Sequence, residues 1–92
     1  MLKLSDLLKS IVSDVKNYES VNIKSMTNDS REVVGGALFL AYSGFHVDGR
    51  NYIQDAIDRG AAAICYDPDN YNLLGKYSVP LIPIENLKIK IM

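Results

Sequence analysis

The sequence predicts a small α/β domain, a mixed or parallel sheet with flanking helices, on three observations. Two continuous apolar runs, "ALFLAY" (37–42) and "AAAICY" (61–66), are short enough to be strands buried on both faces. Between them Tyr52, Ile53, Ala56 and Ile57 recur at helical spacing. A third apolar run, "VPLIPI" (79–84), follows the turn residues "DPDN". Strand, helix, strand in this order reads as a βαβ unit with a right-handed crossover, placing "ALFLAY" and "AAAICY" side by side and parallel in the sheet interior.

Taken in chain order, Leu4, Leu7, Leu8, Ile11, Val12 and Val15 form one apolar helical stripe. Ser5 is the expected N-cap, with Asp6 favourable at the positive end of the helix dipole. Asp6, Lys9 and Ser10 interrupt the apolar residues, so the segment is read neither as a signal peptide nor as a membrane span. "VNIKSM" (21–26) alternates as a half-exposed strand does. "TNDSRE" (27–32) consists of turn formers, and Gly35-Gly36 marks a tight turn.

After "ALFLAY" comes a second polar loop, "SGFHVDG" (43–49), leading into a helix that begins near Asn51 and stops at Gly60, a left-handed C-cap. The prolines of "VPLIPI" suit an edge strand or a strand end. The tail "ENLKIKIM" (85–92) fits either state: Leu87, Ile89 and Ile91 alternate, while Leu87 and Ile91 also lie one helical turn apart. Because this last element has no cap or polar terminator, residues 1–92 are read as one domain of a longer protein.

Composition restricts the function classes. An apolar fraction of 48% and a charged fraction of 23% are those of an ordinary soluble domain. A formal charge of -1 offers no footprint for nucleic acid or an anionic membrane, so any anion site must be local. The single cysteine, Cys65, lies among aliphatic neighbours and is read as core; it suits a reducing compartment, and the chain is read as cytoplasmic. No pair of carboxylates, metal-ligand cluster or nucleophile–base pattern stands out.

The chemistry-bearing residues fall in the two polar loops. In parallel α/β sheets, ligands collect beyond the carboxyl ends of strands, where "SGFHVDG" lies. Gly44 and Gly49 permit close backbone approach, and the helix start supplies free N–H groups suited to an anion. His46, the sole histidine, and Ser30 are candidate hydrogen-bond partners for phosphate oxygens. Asp29 and Arg31 are read as bracing the first loop and Asp48 as capping the second. Singly, each feature is as compatible with a plain turn or a solvated side chain.

Their combination is more specific. Thr27 to Arg31 fits T-x-D-S-R, Leu38 to Ala41 fits L-F-x-A, Gly44 to Gly49 fits G-x-x-x-D-G, and Arg59 to Ala61 fits R/Q-G-A. In this set the chain resembles the N-terminal domain of the Mur ligases, with the E-type branch nearest in pattern. Gly35 stands where that family often has proline, and Arg50 where it often has histidine.

The resemblance implies a domain that holds the uridine diphosphate end of UDP-N-acetylmuramoyl-L-alanyl-D-glutamate. The contacts it implies come from Asn28, Ser30, Phe45, His46 and Val47. It also implies that ATP, magnesium and the amide-forming step that adds the third amino acid, meso-diaminopimelate or L-lysine, in peptidoglycan precursor synthesis belong to other domains of the parent. Consistent with that, these residues contain no G-x-x-x-x-G-K-[ST] phosphate loop. Two other readings stand beside this one: the corresponding domain of the F-type branch, and a non-enzymatic α/β interaction module whose polar loops are only turns.

Overall fold

The structure is a computed structural model describing residues 2–9, 18, 20–44, 47–69, 71 and 77–90. Four strands, β3 (Ser25–Thr27), β4 (Ala37–Ala41), β5 (Ala63–Tyr66) and β6 (Leu81–Pro83), form one sheet in the order β3-β4-β5-β6. All three pairings are parallel. A separate antiparallel pair joins β1 (Leu2–Lys3) to β2 (Asn22–Ile23).

The continuous apolar runs become the central strands, as expected, and their burial on both faces follows from the alternation of side chains across a strand. Leu38 and Leu40 of β4, with Ala63 and Cys65 of β5, point to one face. There they meet Leu4 and Leu8 of α1 (Leu4–Leu8), Ile82, Ile84, and Leu87 of α3 (Leu87–Lys90). Ala37, Phe39, Ala41 and Ile64 point to the other, against Ile53 and Ala56 of α2 (Ile53–Asp58), Val33 and Ala61. Phe39 is fully buried; truncating a core phenylalanine to alanine costs about 3–5 kcal/mol.

Three expectations need correction. "VNIKSM" is not one strand: β2 and β3 are separated at Lys24 and belong to different sheets. The break arises because the Lys24 N–H donates to Gly36 O at 2.9 Å. The lysine stem packs on Gly36, whose φ of 86° and lack of a Cβ leave it room.

Ser5 is not the N-cap of α1. Lys3 occupies that position without a side-chain cap, and Ser5 is buried inside the helix. The Leu4 N–H, which a cap normally helps to satisfy, instead donates to Val21 O at 2.8 Å. Third, Tyr52 does not continue the buried stripe of α2. It lies at the junction of a 3-10 turn (Gly49–Tyr52) with α2 and is 43% exposed.

The remaining features agree or fall elsewhere. β6 is the sheet edge, Gly60 has φ 105° after α2, and the tail begins as helix rather than strand. Ile11, Val12 and Val15 of the N-terminal stripe lie outside the described residues, as do Phe45 and His46. Among the described residues no helix is long and apolar enough to cross a membrane.

Candidate functional site

β3 and β4 run parallel, so both deliver the chain to the same end of the sheet. The segment after β3 turns at once. The Asp29 N–H donates to Thr27 Oγ1 at 3.1 Å, and Asp29 then caps a 3-10 turn (Ser30–Glu32) by accepting from the Arg31 N–H at 2.9 Å. The Arg31 guanidinium donates to both carboxylate oxygens, Nε to Oδ1 at 3.0 Å and Nη2 to Oδ2 at 2.8 Å. Those bonds hold the Asp29 carboxyl below the usual carboxylate range. This turn tucks Ser30 inward, where it is 7% exposed, while the Arg31 side chain stays 83% exposed.

The segment after β4 forms a narrow loop closed by a bridge between Ser43 and Asp48, with the Gly44 N–H donating to Val47 O at 2.8 Å. Gly49 lies against Tyr42, its N–H donating to Tyr42 O at 2.9 Å. A Cβ at Gly49 would lie 3.3 Å from that oxygen. Asp48 caps the next 3-10 turn, accepting from the Arg50 N–H at 3.0 Å.

Arg50 is buried and pairs with Asp48 through Nε and Nη2 at 2.9 and 2.8 Å. Its Nη1 donates to Asp67 O at 3.0 Å and to Asp69 O, and its guanidinium lies 5.1 Å from the Tyr71 ring centroid. Arg50 therefore fastens the second loop to the chain leaving β5.

The two loops meet. Asn28 Nδ2 donates to the Tyr42 hydroxyl at 2.6 Å, joining the first loop to the residue that follows β4. Between them lies a cavity of about 540 Å³, within the range of small-molecule sites. Asn28, Asp29, Ser30 and Arg31 line one side, and Gly44, Val47 and Gly49 the other. Among the described residues no hydrogen bond engages the Ser30 hydroxyl.

Of the residues singled out from the sequence, Asn28, Asp29, Ser30, Arg31 and Val47 border this one space. Asp48 is not among its lining residues and serves as a cap. Sequence reasoning missed five further lining residues, Phe39, Leu40, Tyr42, Tyr52 and Lys88. Tyr42 closes the run "ALFLAY" and was read as part of the strand, which ends at Ala41, whereas Lys88 comes from the tail, which carried no site signal.

A second cavity, at the ends of β5 and β6, has a different chemistry, with Asp67, Asp69 and Glu85 on its walls. Among the described residues no group of three or more histidine, cysteine or acidic side chains is placed to hold a metal ion. Cys65 is buried in the core and its thiol is pushed up to about 12 by desolvation, which suits packing and not reactivity.

This arrangement defines a class: α/β units whose loops converge beyond the carboxyl ends of a parallel sheet. A family profile described as "Mur ligase family, catalytic domain" matches residues 22–89, and the chain belongs to the Mur ligase family. It is 47% identical over 81 residues to a UDP-N-acetylmuramoyl-L-alanyl-D-glutamate--2,6-diaminopimelate ligase of Coxiella burnetii, a match covering 85% of this chain and 17% of that protein. It is 51% identical over 65 residues to the ligase of the same name from Pseudomonas putida, covering 71% and 13%.

A UDP-N-acetylmuramyl-tripeptide synthetase of Roseiflexus is 38% identical over 90 residues, covering 96% and 17%. The chain thus spans between 13% and 17% of the length of these relatives. Among solved structures, the MurF ligase of Thermotoga maritima in complex with ADP superposes with a TM-score of 0.62 at 22% identity. That likeness covers 78% of this chain and 16% of that one, and it shows the shared fold.

Proposed function

We propose that this chain is the part of an E-type Mur ligase that holds the uridine diphosphate end of UDP-N-acetylmuramoyl-L-alanyl-D-glutamate, and that it performs no chemistry itself. The observation that carries this reading is the cavity between the two loops, lined by the buried Ser30, whose hydroxyl is uncommitted among the described residues. Ser30, with backbone N–H groups of the second loop and His46, faces the diphosphate. Asn28 and Phe45 border the uridine, and Val47 supplies apolar contact. Asp29 and Arg31 shape the first loop and Asp48 the second. The relatives' names direct the reading to the E-type branch and to diaminopimelate as the third amino acid.

In the parent, as the resemblance implies, ATP converts the D-glutamyl carboxylate to an acyl phosphate that the amine then attacks. The residues here do not fit that nucleotide: they contain no G-x-x-x-x-G-K-[ST] loop. ATP, magnesium and the amino-acid site are therefore assigned to further domains of a longer cytoplasmic protein. These domains and the UDP-linked dipeptide are the chain's partners, and nucleic acid and membrane are not.

The test is an NMR titration of the 92-residue chain with UDP. With only one end of the substrate bound, the expected dissociation constant is about 1 mM, or about -4 kcal/mol. Shifts should centre on residues 28–31 and 44–49. Ser30→Ala and His46→Ala should each weaken binding by roughly 1–2 kcal/mol, the order expected for a hydrogen bond to a charged group. Shifts far from both loops would place the site elsewhere, and magnesium-dependent ATP turnover by the purified chain would show that it is catalytic.

A further inference from the structure

The cavity has a third wall that neither loop supplies. Ile84 and Leu87 are buried in the core face shared with α1, which seats the start of α3 against the sheet. Between them Asn86 adopts a left-handed φ of 57°, turning the chain from β6 into the helix. The residue after Leu87 is Lys88, exposed at the rim and lining the cavity opposite Asn28 and Ser30's loop.

Three of the described lining residues are charged: Asp29, Arg31 and Lys88. Asp29 and Arg31 neutralise each other through two side-chain hydrogen bonds. Lys88 forms no ion pair among the described residues, which leaves one uncompensated positive charge among the cavity's described lining residues. The neighbouring cavity, which contains Glu85 and Asn86 just before α3, bears three carboxylates and is of opposite character. An anion drawn to this end of the sheet is therefore directed to the Lys88 side.

We infer that Lys88 is a specificity-determining residue of the site, its ammonium meeting the diphosphate of a nucleoside diphosphate ligand from the β6–α3 side. The inference rests on the uridine diphosphate reading of the cavity and adds to it a contact from a segment distant in sequence. A lysine is suited to this task because a flexible stem carries a compact charge to a mobile diphosphate without demanding bidentate geometry. The contact separates ligands by charge: it favours the diphosphate over the bare nucleoside and leaves recognition of the base to the loops.

The experiment compares UDP with uridine on the 92-residue wild-type chain, Lys88→Met and Lys88→Arg, by NMR titration at low and moderate salt, with a thermal melt of each. In the wild type, UDP should bind at least tenfold more tightly than uridine, with an affinity that falls as salt rises. Lys88→Met should lose about tenfold in UDP affinity and part of the salt dependence, leaving uridine affinity and the melting temperature unchanged. Lys88→Arg should retain most of the UDP affinity. If the wild type binds UDP at the loops and Lys88→Met binds it equally with the same salt slope, the role of Lys88 is overturned while the cavity reading survives. If the wild type shows no UDP shifts at the loops, the cavity reading fails and the Lys88 role with it.

Discussion

Asp29–Arg31 and Asp48–Arg50 are one three-residue device in two settings. In each, the aspartate caps a 3-10 turn by accepting the backbone N–H two residues on, and the arginine returns a two-point salt bridge. The first pair ends in solvent, with the Arg31 side chain 83% exposed; in the second, Arg50 retains only 8%. Arg50 alone reaches a third segment, the chain beyond β5, through two carbonyls and the Tyr71 ring. Identical local geometry therefore serves different ends: the exposed copy shapes a loop, and the buried copy ties two loops together. An exposed ion pair is largely screened, whereas a buried one is costly to break because its partners are left unsatisfied.

The sharpest way to break this comparison is Arg50→Met. It removes the donor to two carbonyls and leaves Asp48 unpaired, so a loss of about 2–3 kcal/mol in urea unfolding is expected. A loss no greater than that of Arg31→Ala would refute the distinction between the pairs.

Cys65 provides an independent readout, since it lies on β5 two residues before Asp67 and its thiol is shielded in the native state. If Arg50 holds that end of the sheet closed, Arg50→Met should speed labelling of Cys65 by a thiol reagent at pH 8 by roughly 30-fold, the factor that matches 2 kcal/mol of easier opening. Arg31→Ala should label at the wild-type rate.

pH tests the buried pair more finely. The Arg50 hydrogen bonds hold the Asp48 carboxyl below its usual range, and a depressed carboxylate contributes stability that is present above the unfolded-state value near 4. That contribution is lost as pH falls through the folded value. The urea midpoint should therefore decline below about pH 4, and less steeply in Arg50→Met than in the wild type. Equal slopes would mean that Asp48 draws little from Arg50.

The smallest effect belongs to Arg31→Ala. The sequence reading expects it to lower the melting temperature as a loop brace, but with its guanidinium in solvent the melt should barely move. A drop comparable with that of Arg50→Met would show that the first loop bears on the core after all.

What could be read from the sequence divides along the same line. Strands β4 and β5, the edge position of β6 and the left-handed Gly60 followed from runs and spacings within a few residues of each other. So did the Asp48 cap, because an aspartate two residues ahead of its N–H partner is a local signal, whereas Asp29 was read as a brace and is found to cap its turn as well. The burial of Arg50 was not legible, since its carbonyl partners lie 17 and 19 residues on. Lys88 was hidden for a similar reason: β6 must pair with β5 before the tail is brought to the end of β4. The split of "VNIKSM" at Lys24 depends on Gly36, in a turn the alternating pattern does not see. Within the candidate site, the loops were visible and the wall between them and the tail was not.

Strand order in the main sheet repeats chain order, so each of its pairings joins strands consecutive in sequence. Assembly then requires only short loop closures, and the stretch from β4 through α2 to β5 holds both central strands and the helix that covers one face. The other face needs the two ends of the chain, Leu4 and Leu8 from one and Leu87 from the other. This geography implies a folding order in which residues 37–66 condense early and the terminal helices dock late. In rate measurements Ile53→Val should slow folding, while Leu87→Ala should chiefly hasten unfolding. The reverse pattern would place the nucleus at the chain ends. On a ribosome, the face covered by α2 would mature before α3 emerges, and the cavity wall bearing Lys88 would be the last part of the site to form.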